Sequence, residues 1–418
     1  MTTFQNVRGT RDFLPERMKK KQFLEDTCRQ VFELYGFYPL QTPALEELEL
    51  LSKKGGGGQE ISKEIYWFKD QGDREIGLRF DLTVPMSRVV ATNRDLPKPF
   101  KRYQIAQVWR YDRPGANRYR EFTQADVDTV GGDSTVADFE VIACALELVK
   151  RLGLDAKVKV NNRKLLEELA KKCKVKPEQV VDCFRSLDKA DKIGWDGVEK
   201  ELVEKGIATD ILEVVRQNDA ASAMKKVGKD SEGLKEALDL IGMLEAQGNK
   251  GKVQLDLSLA RGLEYYTGNV FEVMVPGVAS IAGGGRYDKL VGLYGGEESR
   301  ATGISFGVDR LLDVLEDRLP TQNRTRVFVA PIGETALKPA LDIAQQLRGM
   351  GVNTDMDLCE RGISKNLAYA SRLGIPYVLI VGEKDLAKGE LTLKALADGK
   401  ETKVKVNKLD EVKKLVSG

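Results

Sequence analysis

A chain of 418 residues has room for two or three domains, and 42% hydrophobic with 31% charged residues describes a globular protein with a core, not a disordered one. A formal net charge of +2 leaves nucleic-acid contact to local basic patches and excludes a polycationic coat. Histidine is absent, which removes His-bound zinc, Ser-His and Cys-His nucleophile systems and the imidazole base.

The segment from Met1 to Pro15 carries three charged side chains and no long apolar run, so it is not expected to be a signal peptide. No run of 18 apolar residues occurs, so no membrane span is expected. Cys28, Cys144, Cys173, Cys183 and Cys359 are scattered and form no C-x-x-C pair. That pattern fits a reducing compartment, with neither disulfides nor a zinc site.

Phe23, Leu24, Cys28, Val31, Phe32 and Tyr35 recur at helical spacing and predict an amphipathic helix over Pro15–Tyr35, ended by Gly36. Gly55 to Gly58 give neither helix nor strand a side chain to pack. They read as a plain connection or as a flap over a site. Strands are expected at Ile65–Lys69, Glu75–Phe80, Lys101–Tyr111 and Tyr119–Val130, then a helix at Val136–Leu152.

From about Asn161 to Gly248 aromatics thin out and charged helical segments dominate, such as Lys164–Lys172 and Pro177–Leu187. Strands resume at Val253–Leu259 and Asn269–Val275, followed by a Gly-rich hairpin at Ala282–Tyr287 and a strand-to-helix unit at Thr302–Leu315. A helical insertion (161–250) thus divides a mixed α/β domain, whose antiparallel sheet is flanked by helices, into parts at 1–160 and 251–320. Pro320–Thr325 reads as a linker. Beyond it, strands at Val327–Pro331, Val352–Asp355 and Tyr377–Val381 alternate with helices at Leu337–Met350 and Ile363–Leu373. This predicts a separate α/β domain over 326–418 with a parallel sheet.

Neither G-x-x-x-x-G-K-[ST] nor a helix-opening G-x-G-x-x-G is present. The most informative stretch is Gln107 to Asp128: two strands joined by a loop, with Arg113, Arg118 and Arg120 in and beside it. Alternation puts Arg110 and Asp112 on one face, and Phe122, Gln124, Asp126 and Asp128 on one face of the second strand. Such a hairpin offers a cation for phosphate, a ring for stacking and polar groups at fixed spacing. Equally, it could be a charged hairpin with cross-strand ion pairs.

The stretch resembles motif 2 of class II aminoacyl-tRNA synthetases. Gly303-Ile-Ser-Phe-Gly307-Val-Asp309-Arg310 resembles motif 3, and the N-terminal helix with Gly36 to Pro43 resembles motif 1. Ala260-Arg261-Gly-Leu-Glu264-Tyr265-Tyr266 and Gly283-Gly-Gly-Arg286-Tyr287-Asp288 resemble the two signatures of histidyl-tRNA synthetases. Arg8 to Asp12 and Arg79 to Pro85 match further segments of that family, and Gly362–Gly382 resembles its anticodon-binding domain.

The resemblance implies attachment of L-histidine to tRNA(His) through a histidyl-adenylate, with ATP consumed and AMP and pyrophosphate released. It implies Arg110 on the α-phosphate, Arg310 on the γ-phosphate, and Phe122 and Asp112 at adenine. Asp81, Leu82, Thr83 and Gln124 would hold the α-ammonium of histidine. Asp128 and Tyr266 would meet its imidazole, with Tyr265 and Tyr287 lining the pocket. Arg261 would face the α-phosphate where other class II enzymes rely more on metal, with Mg²⁺ bridging the outgoing pyrophosphate and no ligand set identified for it. A cytoplasmic homodimer with no membrane contact is implied as well.

This chemistry needs no histidine side chain. The attacking carboxylate is ionised at pH 7, and what remains is positioning and cations facing an anionic transition state. The sequence departs from the family at Pro114 to Asn117, which lacks Gln-Lys-Gly, at Thr123, and at Asp112, where glutamate is usual. Two rival functions share these motifs: a catalytically silent histidine sensor and an uncharged-tRNA sensor. Retention of Arg110, Arg261, Arg310 and the C-terminal domain favours the enzyme. Without histidine, no side chain titrates near pH 6.5 unperturbed, so an inflection there is expected to belong to the substrate's imidazole.

Overall fold

The computed structural model describes residues 4–53, 63–113, 115, 118–132, 135–260, 265–278, 280–320 and 323–416. The four-glycine run and Arg261 lie outside the described residues. The chain forms two compact units, Met1–Leu319 and Pro320–Gly418.

The first unit is built on an eight-stranded sheet in the order Tyr38–Pro39, Phe100–Trp109, Glu121–Val130, Ala301–Gly307, Ala282–Arg286, Asn269–Met274, Lys157–Asn162, Val253–Leu255. The two outermost pairings are parallel and the rest antiparallel. One face is apolar. Tyr103, Ala125, Val127, Val158, Val160, Val273 and Phe306 point into a core closed by helices. Helix Pro15–Leu34 delivers Leu24, Cys28, Val31 and Phe32 to that core, at the spacing that predicted it. Pro15 starts it, where a missing N–H costs nothing. Tyr35 accordingly falls just past the last turn, and Phe23 stays 42% exposed.

The strand residues that alternate with this core form the opposite face, and register arranges them in rows. Arg102 stands beside Asp128, Asp128 beside Gly303, and Gly303 beside Gly285. In the next row Gln104, Asp126, Ser305, Gly283 and Glu272 follow one another. The middle of each row is glycine or serine, so the sheet has polar flanks and a floor without bulk. The segment Ala282–Arg286 is therefore one central strand, paired on both sides, and not the hairpin expected from its glycines. Glycine serves close approach here: a Cβ on Gly284 would lie 2.0 Å from the Gly303 carbonyl oxygen and 2.7 Å from Ile304 Cα.

A small sheet, Leu45–Glu47, Glu75–Leu78 and Trp67–Lys69, is tied to the large one through Arg79. Its guanidinium donates to the carbonyls of Thr42 at 2.7 Å and Gln107 at 2.9 Å. The N-terminal segment is held by charge. Arg11 pairs with Asp309 at 2.7 Å, and the Asp309 carboxylate also accepts the Thr123 amide.

Between Lys157–Asn162 and Val253–Leu255 the chain is helical, from Arg163–Lys172 to Glu232–Leu244. These helices have their own core around Leu166, Leu169, Phe184, Leu202 and Val215. Helix Glu232–Leu244 serves both cores: Leu234 packs with the insertion, while Ala237, Leu240 and Leu244 pack with the main sheet.

The second unit has a five-stranded sheet in the order Thr354–Met356, Val327–Ile332, Tyr377–Gly382, Glu390–Ala395, Glu401–Lys405. Its first three strands are parallel, as expected of βαβ units. The last two join antiparallel, which corrects the all-parallel expectation. Their signal was present: Leu391 and Leu393 alternate inward, and Asp398-Gly399 supplies the turn, with Gly399 at φ 71°.

Gly284 and Gly283 make a paired test of this packing. Gly284→Ala places a methyl against backbone and should cost about 1–3 kcal/mol. Gly283→Ala meets nothing nearer than 3.9 Å and should unfold near the parent concentration. Equal urea midpoints for the two variants would refute the close-approach role.

Candidate active site

The polar face of the large sheet is the floor of a cavity of about 730 Å³. Helix Thr83–Thr92 begins at its rim, where Asp81 caps it by accepting the Val84 amide at 3.1 Å. Asp81, Thr83, Arg110, Asp112, Phe122, Gln124, Asp128, Tyr265, Tyr266, Tyr287 and Arg310 all line this cavity. Leu82 is the exception. Its side chain is fully buried outside the cavity wall, and its carbonyl accepts from Arg102 at 3.1 Å.

The predicted hairpin forms, with strands Phe100–Trp109 and Glu121–Val130. Arg110 and Asp112 lie beyond the first strand, so strand alternation does not place them as expected. Arg110 instead donates to the Phe80 carbonyl at 3.0 Å, and its guanidinium sits 5.3 Å from the Phe122 ring centre. Asp112 pairs with Arg118 within the turn. On the second strand the alternation holds: Phe122, Gln124, Asp126 and Asp128 all reach the cavity. Gln124 donates to Ser305 at 2.8 Å, leaving its carbonyl oxygen unpartnered. Asp128 is buried, accepts the Tyr287 hydroxyl, and lies 2.6 Å from the Arg102 guanidinium. The Tyr265 and Tyr266 rings stack obliquely with centres 4.4 Å apart and their hydroxyls 3.3 Å apart. Arg310 donates to the Ser280 carbonyl.

Sequence reasoning gave no role to several residues of the wall, nor to Arg102, buried behind it. Asp126 shares the alternation of Gln124 and Asp128, which was the available signal. Arg102 is marked only by its register opposite Asp128, which a single sequence does not show. Lys192, from the insertion helix Ala190–Glu204, also lines the cavity, as do Glu272 and Ser280.

Three carboxylates share this enclosed space, and burial raises the pKa of each. Burial pushes Asp81 up to about 6, against the opposing pull of the Val84 amide, Arg110 and Arg102. Burial pushes Asp126 up to about 7, with Arg102 pulling the other way and Asp128 adding to the rise. Asp128 is raised as well by burial, while Arg102 and the Tyr287 hydroxyl lower it. A protein without histidine, in which no side chain titrates near neutrality unperturbed, thus still has perturbed groups that do. Desolvated aspartates take that place.

A pocket on the face of an antiparallel sheet, to which one strand brings an aromatic ring and two buried carboxylates while the neighbouring loops and a helix bring arginines and a third, is the class II synthetase-like arrangement. Comparison with known proteins narrows it. The family model for histidyl-tRNA synthetase matches residues 9–311, and that for an anticodon binding domain matches residues 326–415. The chain is 39% identical to a histidine–tRNA ligase 1 of Bacillus cereus, over 98% of this chain and 99% of that one. It is 37% identical to the histidine–tRNA ligase of Pyrococcus furiosus, over 98% of each. The crystal structure of histidyl-tRNA synthetase from Nostoc sp. superposes with a TM-score of 0.84 at 30% identity, covering 99% of this chain and 100% of that one. The chain belongs to the histidyl-tRNA synthetase family.

The titration of Asp126 has a consequence for stability. Its folded pKa of about 7 lies above the unfolded value of about 4, so the folded state holds the proton more tightly. Its contribution is fully present below the unfolded value and is lost as pH rises through about 7. Asp126→Asn should therefore unfold at a higher temperature than the parent at pH 8, with the gap narrowing toward pH 5. Calorimetry of the ligand-free protein checks this, and a gap that stays constant across that range would contradict it.

Proposed function

We propose that this chain attaches L-histidine to tRNA(His) in two steps, with ATP as the energy source. The observation that carries the reading is the shared cavity, in which Asp81, Gln124, Asp128 and Tyr266 stand in one enclosure with Arg110, Phe122 and Arg310. In the first step the histidine carboxylate forms a bond to the α-phosphorus of ATP as the bond to pyrophosphate breaks. In the second, a ribose hydroxyl of the tRNA attacks the acyl carbon, and AMP leaves.

Asp81, Thr83 and Gln124 bind the α-ammonium of histidine. Asp81 brings a carboxylate and Gln124 an unpartnered amide oxygen, both acceptors suited to an N⁺–H donor. Leu82 contributes backbone only. Asp128 and Tyr266 read the imidazole, with Tyr265 and Tyr287 closing the pocket around it. Phe122 stacks on adenine, and Asp112 lies within the same cavity wall. Arg110 holds the α-phosphate and Arg310 the γ-phosphate, as permanently charged forks suited to phosphate oxygens. Arg261 completes this set at the α-phosphate; its role rests on the signature that contains it.

Mg²⁺ keeps most of its waters and binds through one or two carboxylates together with substrate phosphates. The described residues contain no group of three His, Cys, Asp or Glu side chains that forms a protein cage. Glu272, on the cavity wall, is a carboxylate that would hold such a phosphate-borne ion. When bound, the ion neutralises charge on the departing pyrophosphate.

The C-terminal unit binds the anticodon region of the tRNA. A homodimer is supported by the large apolar side chains that a single copy leaves exposed, among them Tyr38, Trp67 and Phe68. All five cysteines are free, which suits a reducing cytoplasm, and among the described residues no helix is long and apolar enough to cross a membrane.

Amino-acid-dependent ATP–pyrophosphate exchange across all twenty amino acids tests the reading. Exchange should appear with histidine alone, and its absence with histidine would overturn the proposal. Within that assay, Arg261→Ala should cost on the order of 10²–10³ in rate, the scale for losing one transition-state charge partner, with histidine binding changed much less. A near-parental exchange rate would remove Arg261 from the mechanism. A chain ending at Leu319 should still activate histidine and charge tRNA poorly. Loss of activation in a folded truncate would show that the C-terminal unit shapes the active site.

A further inference from the structure

Arg102 has no place in the roles above, yet it is among the most buried large side chains in the molecule, at 0% exposure. It rises from Phe100–Trp109 directly across from Asp128, with Nη2 2.6 Å from the carboxylate. The Leu82 carbonyl accepts its other contact at 3.1 Å. Its Nε and Nη1 have no hydrogen-bond partner. A guanidinium so enclosed is costly unless neighbouring charge compensates it.

That compensation comes from the cavity. Asp128 faces charged and titratable groups from each element around it. Arg102 stands on one flanking strand, and Asp126 is on the strand of Asp128 itself. Asp81 comes from the start of helix Thr83–Thr92, Tyr287 from the end of Ala282–Arg286, and Tyr266 from the approach to Asn269–Met274. The other flanking strand, Ala301–Gly307, presents Gly303 at this row and no charge. Among the described residues Arg102 is the cation that acts on Asp128, against two further carboxylates.

We propose that Arg102 is a positioning residue for the amino-acid pocket, whose charge keeps Asp128 an acceptor-only carboxylate and so makes the pocket select a side chain with a ring N–H. An ionised aspartate accepts and cannot donate, whereas a protonated one presents a hydroxyl of its own. The Tyr287 hydroxyl already occupies one oxygen of Asp128. Arg102 anchors the other from below and aims the group at the cavity. This inference rests on Asp128 reading the imidazole, as proposed above.

The test is histidine affinity and exchange kinetics of the full chain between pH 6 and 9, in four variants. Arg102→Gln should raise the KM for histidine about tenfold or more near pH 6.5, one unit of carboxylate pKa being worth a factor of ten. The loss should shrink toward pH 9 as Asp128 ionises again, with kcat and the KM for ATP changed much less. Arg102→Lys should stay close to the parent, with a similar profile. Asp128→Asn should lose histidine affinity at every pH, and adding Arg102→Gln to it should cost nothing more.

A pH-independent loss in Arg102→Gln would overturn the proposal, as would a double variant weaker than Asp128→Asn alone. If Arg102→Gln does not fold, the double variant removes both buried charges and decides together with Arg102→Lys. A lysine variant as poor as Asp128→Asn then overturns the role. Parental histidine binding and discrimination in Asp128→Asn would instead defeat the reading of the pocket on which the inference stands.

Discussion

The molecule depends on one alignment of three strands, in which Arg102, Asp128 and Gly303 share a row across the sheet. Side chains alternate along a strand, so a slip of one residue would turn Asp126 and Asp128 into the apolar core and bring Ala125 and Val127 to the cavity. Both errors are expensive, the first far more so, because a buried carboxylate without its partner costs several kcal/mol. The helices that cover the apolar face and the charges that face the cavity therefore enforce the same register. The fit at Gly303 shows how tight it is: a Cβ there would lie 2.7 Å from the Val127 carbonyl oxygen and would overlap the Asp128 carboxylate.

That register creates a site whose polarity is costly before any substrate arrives. Gln104, Gln124, Asp126 and Asp128 each keep an atom without a hydrogen-bond partner, and Arg102 keeps two. Native proteins rarely leave so many buried polar atoms unmet, and such clusters collect where a ligand completes them. For the acceptors on the cavity wall, the oxygens of Gln124 and Asp126, an α-ammonium, an imidazole N–H or water is a group of the right kind. The raised pKa values of Asp81 and Asp126 have the same origin, since burial penalises a charge more than the nearby arginines offset it.

The insertion and the main sheet are linked more closely than two adjoining modules. Asn162 ends a sheet strand and caps the first insertion helix through the Lys164 amide at 2.9 Å. Helix Glu232–Leu244 divides its apolar residues between the two cores. Lys192 then brings a charge from the insertion into the cavity wall. A region that carries none of the sequence motifs thus contributes both to the packing of the sheet and to the surface that substrates meet.

Local pattern was enough to determine much of this protein. Helical spacing from Leu24 to Phe32 marks the first helix, alternation from Phe122 to Asp128 marks the cavity face of its strand, and motif order places the chain in its family. These features are legible because a period of 3.6 or of two is written along a single segment. Others were decided only when segments met. Arg110 left its strand for the Phe80 carbonyl, and Leu82 turned away from the cavity. The glycines of Ala282–Arg286 became a central strand because two neighbouring backbones needed their space. The shift of Asp126 to about 7 and the burial of Arg102 against Asp128 belong to the same class. Each depends on which chains lie alongside and how much water they exclude, and a residue's own neighbours in sequence carry no record of either.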